Sequence, residues 1–186
     1  EGDRAALRRL PDASPEAQAA LVAELTALRG QVERIDARRL RGEDALNHSL
    51  LLRTVNDRIE DARFDTGRMP ISNGDGFFSF ADYLAYTTPI QSADDAEAWI
   101  ARLEALPAFY RQNIANARRG IATGFTQPRI VADRALDTAR AQVATMADTL
   151  LTPLAQMPAT IPQADQDRYR ARVREIVAQQ ILPEHR

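Results

Sequence analysis

Residues 69–131 read MPISNGDGFFSFADYLAYTTPIQSADDAEAWIARLEALPAFYRQNIANARRGIATGFTQPRIV, and this stretch decides the fold. It begins with a loop rich in glycine and asparagine, continues with a cluster of aromatic residues, and ends with helical segments that proline and glycine punctuate. Here and in the other long segments apolar residues recur at helical spacing, and no run alternates as a strand would. We therefore predict an all-α protein, an irregular bundle of about seven or eight helices with no sheet.

The segment before this stretch contains a first helix pattern. Ser14, Pro15 and Glu16 form a strong helix start, with an N-cap oxygen, proline at the first helical position and an acid in the first turn. An apolar seam follows at alternating spacings of four and three, which is typical of a packing helix or of a dimerisation zipper. The seam consists of Leu21, Leu25, Leu28, Val32 and Ile35. Gly30 is expected to weaken or break this helix.

A second helix is predicted over about residues 43–63, after Gly42. Its buried stripe would be Leu51, Leu52, Val55, Ile59 and Ala62. His48 precedes this stripe and has no second ligand at i+3 or i+4, which favours a packed histidine over a metal ligand. We predict a single domain over residues 1–186, in which residues 1–42 form an N-terminal helical hairpin.

Proline and glycine divide the rest of the chain into further helices. Ser92 is the predicted cap of a helix over residues 92–106, and Pro107 begins another over 107–123, unless the two form one kinked rod. Gly124 fits the left-handed position after a helix. Pro128 begins the next helix, and the last one is predicted over residues 165–186. Three apolar or small residues, Ile114, Ala117 and Ile121, are expected on the buried face of segment 107–123.

The loop before the aromatic cluster is the first place to look for a site. Asn73 and Gly74 favour a turn, and the loop that ends near Asp75 is either a plain surface loop or the border of a cleft. Phe77 and Phe78 are adjacent and therefore point in different directions, so one of them could line a pocket. The next three residues of interest, Phe80, Tyr83 and Leu84, share one helical face and are expected in the core.

Arg129 lies in the first turn of its helix, where a positive charge is mildly unfavourable with the helix dipole. It therefore needs a partner, which is either a buried acid or a substrate carboxylate.

Composition excludes several classes of function. All 24 basic residues are arginine, and 26 acidic residues outnumber them, so no broad basic field is available for nucleic acid. The absence of cysteine excludes disulfides and thiolate zinc sites. No apolar run approaches the ~20 residues of a membrane span, and no signal peptide is evident. Neither histidine has a partner at a spacing that indicates a catalytic triad, so we predict no catalytic residue and no metal ligand.

Four motifs in order resemble the bacterial domain-of-unknown-function family 885. The first combines Met69, Pro70 and Ile71 with Gly76, Phe77, Phe80, Tyr83 and Leu84. The second is the helix of residues 99–107, WIARLEALP. The third comprises Gly120, Ile121, Ala122, Gly124, Pro128, Arg129 and Val131, and the fourth is the proline-rich turn with the final helix that ends ILPEHR. The resemblance covers roughly residues 43–186.

Members of that family look like zincin-type metallopeptidases, mostly helical and often exported or lipid-anchored, with an H-E-x-x-H zinc helix in the C-terminal half. The resemblance therefore implies that this chain is the N-terminal helical part of a longer zinc-dependent enzyme, with zinc bound outside this segment and its partner being the catalytic half of the same chain. It also implies an exported or periplasmic location. In this setting the segment would form one wall of a peptide-binding channel, with Phe77, Tyr83 or Arg129 in contact with substrate. The alternative is a stand-alone helical protein-interaction module without catalytic activity.

Overall fold

The computed structural model describes residues 4–185, and within them six helices and one small β-hairpin form the regular structure. The helices are α1 (Pro15–Glu33), α2 (Gly42–Ala62), α3 (Phe80–Thr87), α4 (Ala93–Thr123), α5 (Arg129–Leu151) and α6 (Gln163–Ile176). The last of these continues through a π-helical turn at Val177–Ile181 and ends as Leu182–His185. The prediction of a mostly helical protein is confirmed.

The prediction of no sheet was wrong. Strand β1 (Ile71–Ser72) pairs antiparallel with β2 (Asp75–Gly76), and Asn73 and Gly74 form the two-residue turn between them. Gly74 has a φ of +76°, in the left-handed region that glycine adopts readily. Strands of two residues are too short to show an alternating pattern, so the sequence revealed the turn but not the pairing.

Helix α4 is one continuous rod of 31 residues with Pro107 inside it, so segments 92–106 and 107–123 are not separate helices. This continuity, and that of the last helix, makes the predicted number of seven or eight helices slightly too high. Ser92 caps α4 as predicted, because its Oγ accepts a hydrogen bond from the Asp95 N–H at 3.2 Å. Gly124 ends it with a φ of +69°, also as predicted.

The core forms where α4 contacts α5 and α6. From α4, Trp99, Leu103, Leu106 and Tyr110 are almost completely buried. Their counterparts are Met146 and Leu150 of α5 and Val173, Ile176 and Ile181 at the end of the chain. The Trp99 Nε1–H donates to the Leu150 carbonyl at 3.1 Å, so the largest side chain of the core has its polar atom satisfied.

Helices α1 and α2 pack against each other as a hairpin that adds little to this core. Only Val32 of α1 and Val55 of α2 are buried. Gly30 does not break α1, which continues to Glu33. Three of the five seam residues are exposed, whereas the predicted stripe of α2 is mostly half-buried with only Leu51 exposed. The exposed apolar residues of the hairpin are Leu21, Leu28, Ile35, Leu46, Leu50 and Leu51. His48 is half-buried and its Nε2 lies 3.0 Å from the Val32 carbonyl, which agrees with a packed histidine.

Both ends of this hairpin are tied to the second half of α4. Before α1, the Ala13 N–H donates to Gln112 Oε1 at 3.2 Å, and Asn116 Nδ2 donates to the Ala13 carbonyl at 2.6 Å. After α2, Asp65 forms an ion pair with Arg119 of α4 at 2.9 Å. Side chains of α4 therefore hold both ends of the hairpin in position.

None of the helices in residues 4–185 has the length and apolar character that crossing a membrane requires. This agrees with the prediction that the sequence contains no transmembrane segment.

Candidate functional site

Two clefts adjoin on the surface of α4 and together form the groove that we consider the candidate site. The polar cleft, of about 580 Å³, lies between the α1–α2 hairpin and α4. The aromatic cleft, of about 450 Å³, is lined by the β-hairpin, the start of α3 and α4. Pro70 and Asn113 line both clefts, so a ligand in one can extend into the other.

An ion-pair network fixes the floor of the polar cleft. Arg119 binds Asp65 with two hydrogen bonds, of 2.9 and 3.1 Å, in the bidentate geometry that makes arginine–carboxylate pairs specific. The same arginine donates to Asn116 Oδ1 at 3.1 Å, and Arg68 lies 3.2 Å from the Asp65 carboxylate. Asp65 has a φ of +47°, an uncommon conformation for a residue other than glycine, and this network holds it there.

The other charged side chains of the polar cleft differ in whether they have a hydrogen-bond or ion-pair partner. Asp12 accepts hydrogen bonds at 2.9 Å from the Ser14 N–H and from Gln112 Nε2, and the bond from the Ser14 backbone is the main reason why the pKa of Asp12 is lowered. Arg58 and Asp61 also line the cleft, and neither side chain pairs with any described residue. These two charges are therefore available to a ligand.

Asn113 is the residue at which the two clefts meet. It is only 7 % exposed, and its Nδ2 donates to the Phe109 carbonyl at 2.9 Å. No described residue donates a hydrogen bond to its Oδ1. An amide oxygen has two acceptor sites, so the Oδ1 atom, on the lining of the groove and without a protein donor, can accept a hydrogen bond from an N–H group of a ligand.

Aromatic rings form most of the second cleft. Phe77, Phe80, Tyr83 and Phe109 all line it. The rings of Phe80 and Phe109 lie 5.2 Å apart, and Phe77 packs edge-on against Tyr110 with the ring centroids 5.8 Å apart. Such edge contacts stabilise aromatic clusters and keep each ring in one orientation. This cleft can hold an apolar side chain.

The structure brings together three of the five predicted cleft residues. Asp75, Phe77 and Tyr83 line the aromatic cleft. Tyr83 is 62 % exposed, so its expected place in the core was wrong. Phe78 is the buried member of its pair and does not line the cleft. Arg129 lies outside both clefts and pairs with the exposed Asp133 at 3.4 Å, which is neither a buried acid nor a substrate group.

The Tyr110 phenol supports the aromatic cleft from behind and gives stability a dependence on pH. Burial of this side chain raises its pKa above the ordinary value of 10.0, and the charge of Asp82 adds to the effect. The unfolded chain therefore loses this proton near pH 10 while the folded protein keeps it. Stability from this residue is complete below pH 10 and falls as the pH rises further.

We expect the free energy of unfolding to decrease above pH 10 by up to about 1.4 kcal/mol per pH unit more in the wild type than in Tyr110→Phe, which has no proton to lose. Urea titrations of both proteins between pH 9 and pH 11 measure this difference. Equal slopes in the two proteins would show that Tyr110 ionises as easily in the folded as in the unfolded state.

Several residues of the groove were not predicted from the sequence. Asn113 and Asn116 line the groove from the inward face of α4, and Gly120 is buried on the same face outside both clefts, whereas Ile121, which was expected on the buried face, is 71 % exposed. The signal that could have identified them is their spacing, since 109, 113, 116 and 120 follow the helical period of one face. Two asparagines on such a face indicate buried hydrogen bonds or a ligand.

The described residues do not form a zinc site. Nowhere between residues 4 and 185 do three histidine, aspartate or glutamate side chains come close enough to hold a metal ion. His48 faces the Val32 carbonyl, and His185 Nε2 lies 3.0 Å from the Ala139 carbonyl. The zinc that the resemblance implies would take its ligands from outside residues 4–185.

Comparison with known proteins agrees with the motifs quoted above. Residues 2–186 match the family described as "Bacterial protein of unknown function (DUF885)". No curated protein and no solved structure matches the chain. Because the match spans nearly the whole sequence, the chain belongs to the bacterial family DUF885.

Proposed function

We propose that this chain forms one wall of a peptide-binding groove in a zinc-dependent metallopeptidase whose H-E-x-x-H helix lies in another part of the protein. The observation that carries the groove is the junction at Asn113. There an aromatic cleft meets a charged one, and the side-chain oxygen of this largely buried residue accepts no hydrogen bond from a described residue. The zinc-dependent chemistry rests on the resemblance of the four motifs to zincin-like proteins.

The groove matches the chemical features of a peptide in three ways. Asn113 Oδ1 can accept a hydrogen bond from a backbone N–H, which a peptide presents at every residue except proline. Phe77, Phe80 and Tyr83 offer apolar contact to a side chain. Arg58 and Asp61 offer charges to a charged side chain or a chain terminus.

The test uses the protein as its source organism makes it. We expect it to contain zinc and to hydrolyse short peptides with one aromatic residue, and we expect chelators to abolish this activity. In the same assay Asn113→Ala should raise KM roughly 3- to 10-fold, the equivalent of one neutral hydrogen bond of about 1 kcal/mol, and leave kcat unchanged. Steady-state kinetics with the zinc-loaded enzyme measures both effects.

The matched control is Tyr86→Ala, because Tyr86 is 73 % exposed and lines neither cleft. It should leave KM unchanged. A protein that contains no zinc and cleaves no peptide would contradict the peptidase and leave the helical interaction module as the explanation. An active enzyme in which Asn113→Ala has wild-type KM would place the substrate outside this groove.

A further inference from the structure

A third cavity, of about 470 Å³, shares no lining residue with the groove. It lies where the end of α3, the loop that follows it and the first turns of α4 meet, and Leu7 covers one side. The second sequence motif, WIARLEALP, contributes Trp99 and Arg102 to its wall. The proposed function in peptide binding does not involve this cavity.

Arg102 is the unusual residue of this cavity. Its Nε atom is buried and has no hydrogen-bond partner. Among the described residues, its guanidinium has one hydrogen bond, a long one of 3.5 Å from Nη1 to Thr88 Oγ1, and none of their carboxylates lies within ion-pair distance. A guanidinium has five N–H donors, and the described residues accept from only one of its nitrogen atoms, so the other donors can bind a ligand.

The other charged residue of the lining does not compensate Arg102. Asp95 Oδ2 accepts hydrogen bonds from the Gln91 N–H at 3.1 Å and from Ser92 Oγ at 2.8 Å, as part of the cap of α4. Burial lowers the pKa of Arg102, the direction expected of a cation that loses water without gaining an anion. The guanidinium is partly buried, and an anion in the cavity could accept from its buried Nε–H, for which the described residues supply no acceptor.

The rest of the lining is mixed: Thr87, Thr88, Gln91 and Asp95 are polar, and the apolar residues form the remainder of the wall. Leu7, Leu84, Pro89 and Trp99 line it together with the aliphatic part of the Arg102 side chain. A site with one cationic fork and an apolar wall is complementary to a molecule that has an anionic head and an apolar chain. A carboxylate suits the head, because its two oxygens match the planar guanidinium in a bidentate pair.

We propose that this cavity binds a small carboxylate with an apolar chain, with the carboxylate on Arg102 and the chain against Trp99 and Leu84. This site is separate from the peptide groove and does not depend on peptidase activity. Its occupant supplies the acceptors that Arg102 lacks, and the apolar wall removes the chain of the ligand from water.

The experiment uses octanoate as the probe and Trp99 as the reporter, since the chain has a single tryptophan and this residue lines the cavity. Titration of the wild-type protein with octanoate should give a saturable change in tryptophan emission and a higher melting temperature. Octanamide, which keeps the chain but lacks the charge, should bind about tenfold or more weakly.

Two variants complete the design. Arg102→Met should abolish the octanoate-induced change in emission and in melting temperature, while its melting temperature without ligand should equal or exceed that of the wild type, because an incompletely paired cation is removed. Arg53→Gln, at an exposed arginine of α2 whose side chain is 81 % accessible, is the control and should bind octanoate as the wild type does.

Equal binding of octanoate and octanamide would overturn the proposal, because the arginine would then have no part in recognition. Octanoate binding that survives in Arg102→Met would do the same. If octanoate leaves the wild type unchanged and Arg102→Met lowers the melting temperature, Arg102 is a structural residue and the cavity is not a carboxylate site. The comparison of octanoate with octanamide needs no variant and therefore decides the question even if Arg102→Met does not fold.

Discussion

Replacement of Gly120 by alanine is expected to destabilise the protein by roughly 3 kcal/mol, which corresponds to a melting temperature lower by about 6–12 °C. A Cβ at this position would lie 2.3 Å from the Arg68 carbonyl oxygen and 2.8 Å from the Phe125 carbonyl oxygen. Both are backbone atoms, so no side-chain rotation can relieve the clash. The loop of residues 65–70 would have to move away from α4. Differential scanning calorimetry measures the loss.

Gly30 provides the matched control, because it also lies inside a helix but has open space around it. No atom from another part of the described chain lies within 4 Å of the position that an added Cβ would take. Gly30→Ala should stabilise the protein by about 0.5–1 kcal/mol, since alanine loses less backbone entropy in a helix than glycine. A pair of variants with equal effects would mean that the close approach at Gly120 contributes nothing. Since Asp65 belongs to the displaced loop, Gly120→Ala should also disturb the floor of the polar cleft.

Replacement of Tyr110 by alanine is expected to cost about 3–5 kcal/mol, the range for a large aromatic side chain lost from a core. Tyr110 is fully buried, and its ring contacts the rings of Phe77, Phe109 and His185. Its removal leaves a cavity behind the aromatic cleft and removes the support of the Phe77 ring. Chemical denaturation of the variant measures the loss of stability.

Two tyrosine variants separate this packing effect from other contributions. Tyr110→Phe keeps the ring and should cost less than about 1 kcal/mol near neutral pH, because the phenol makes only a long hydrogen bond of 3.5 Å to the Phe78 carbonyl. Tyr83→Ala removes an exposed ring of the same cleft and should leave stability within about 0.5 kcal/mol of the wild type. A large loss in Tyr110→Phe would assign the effect to the hydroxyl group rather than to the ring.

The sequence predicted the features that depend on a few neighbouring residues. The caps at Ser14, Ser92 and Gly124 are where the sequence placed them, because a cap is a local arrangement of one side chain or one glycine with the adjacent turn. The first half of α4 buries its large apolar side chains, and Trp99 and Leu103 lie in the core. In that part of the chain the buried side chains are apolar, so a pattern of apolar residues is enough to identify them.

In the second half of α4, polarity does not predict burial, and the expected position of Ile121 on the buried face was wrong. Asn113 and Asn116 are buried although they are polar, because backbone carbonyls accept their N–H groups. The Asn116 Nδ2 group donates to the carbonyl of Ala13, more than a hundred residues away, and no pattern within α4 could indicate this contact. The groove was therefore only partly predictable: its aromatic side followed from a local cluster, whereas its polar side depends on the packing of the hairpin.

The attachment of this hairpin to α4 has a consequence for folding cooperativity. The hairpin buries one residue from each of its helices, Val32 and Val55, and joins the rest of the protein through hydrogen bonds and an ion pair at its two ends. A segment with so few buried apolar contacts has a low free energy of local opening compared with the core. We therefore expect the hairpin to open as a separate cooperative unit while Trp99 and its neighbours stay packed, and this opening would remove one wall of the polar cleft.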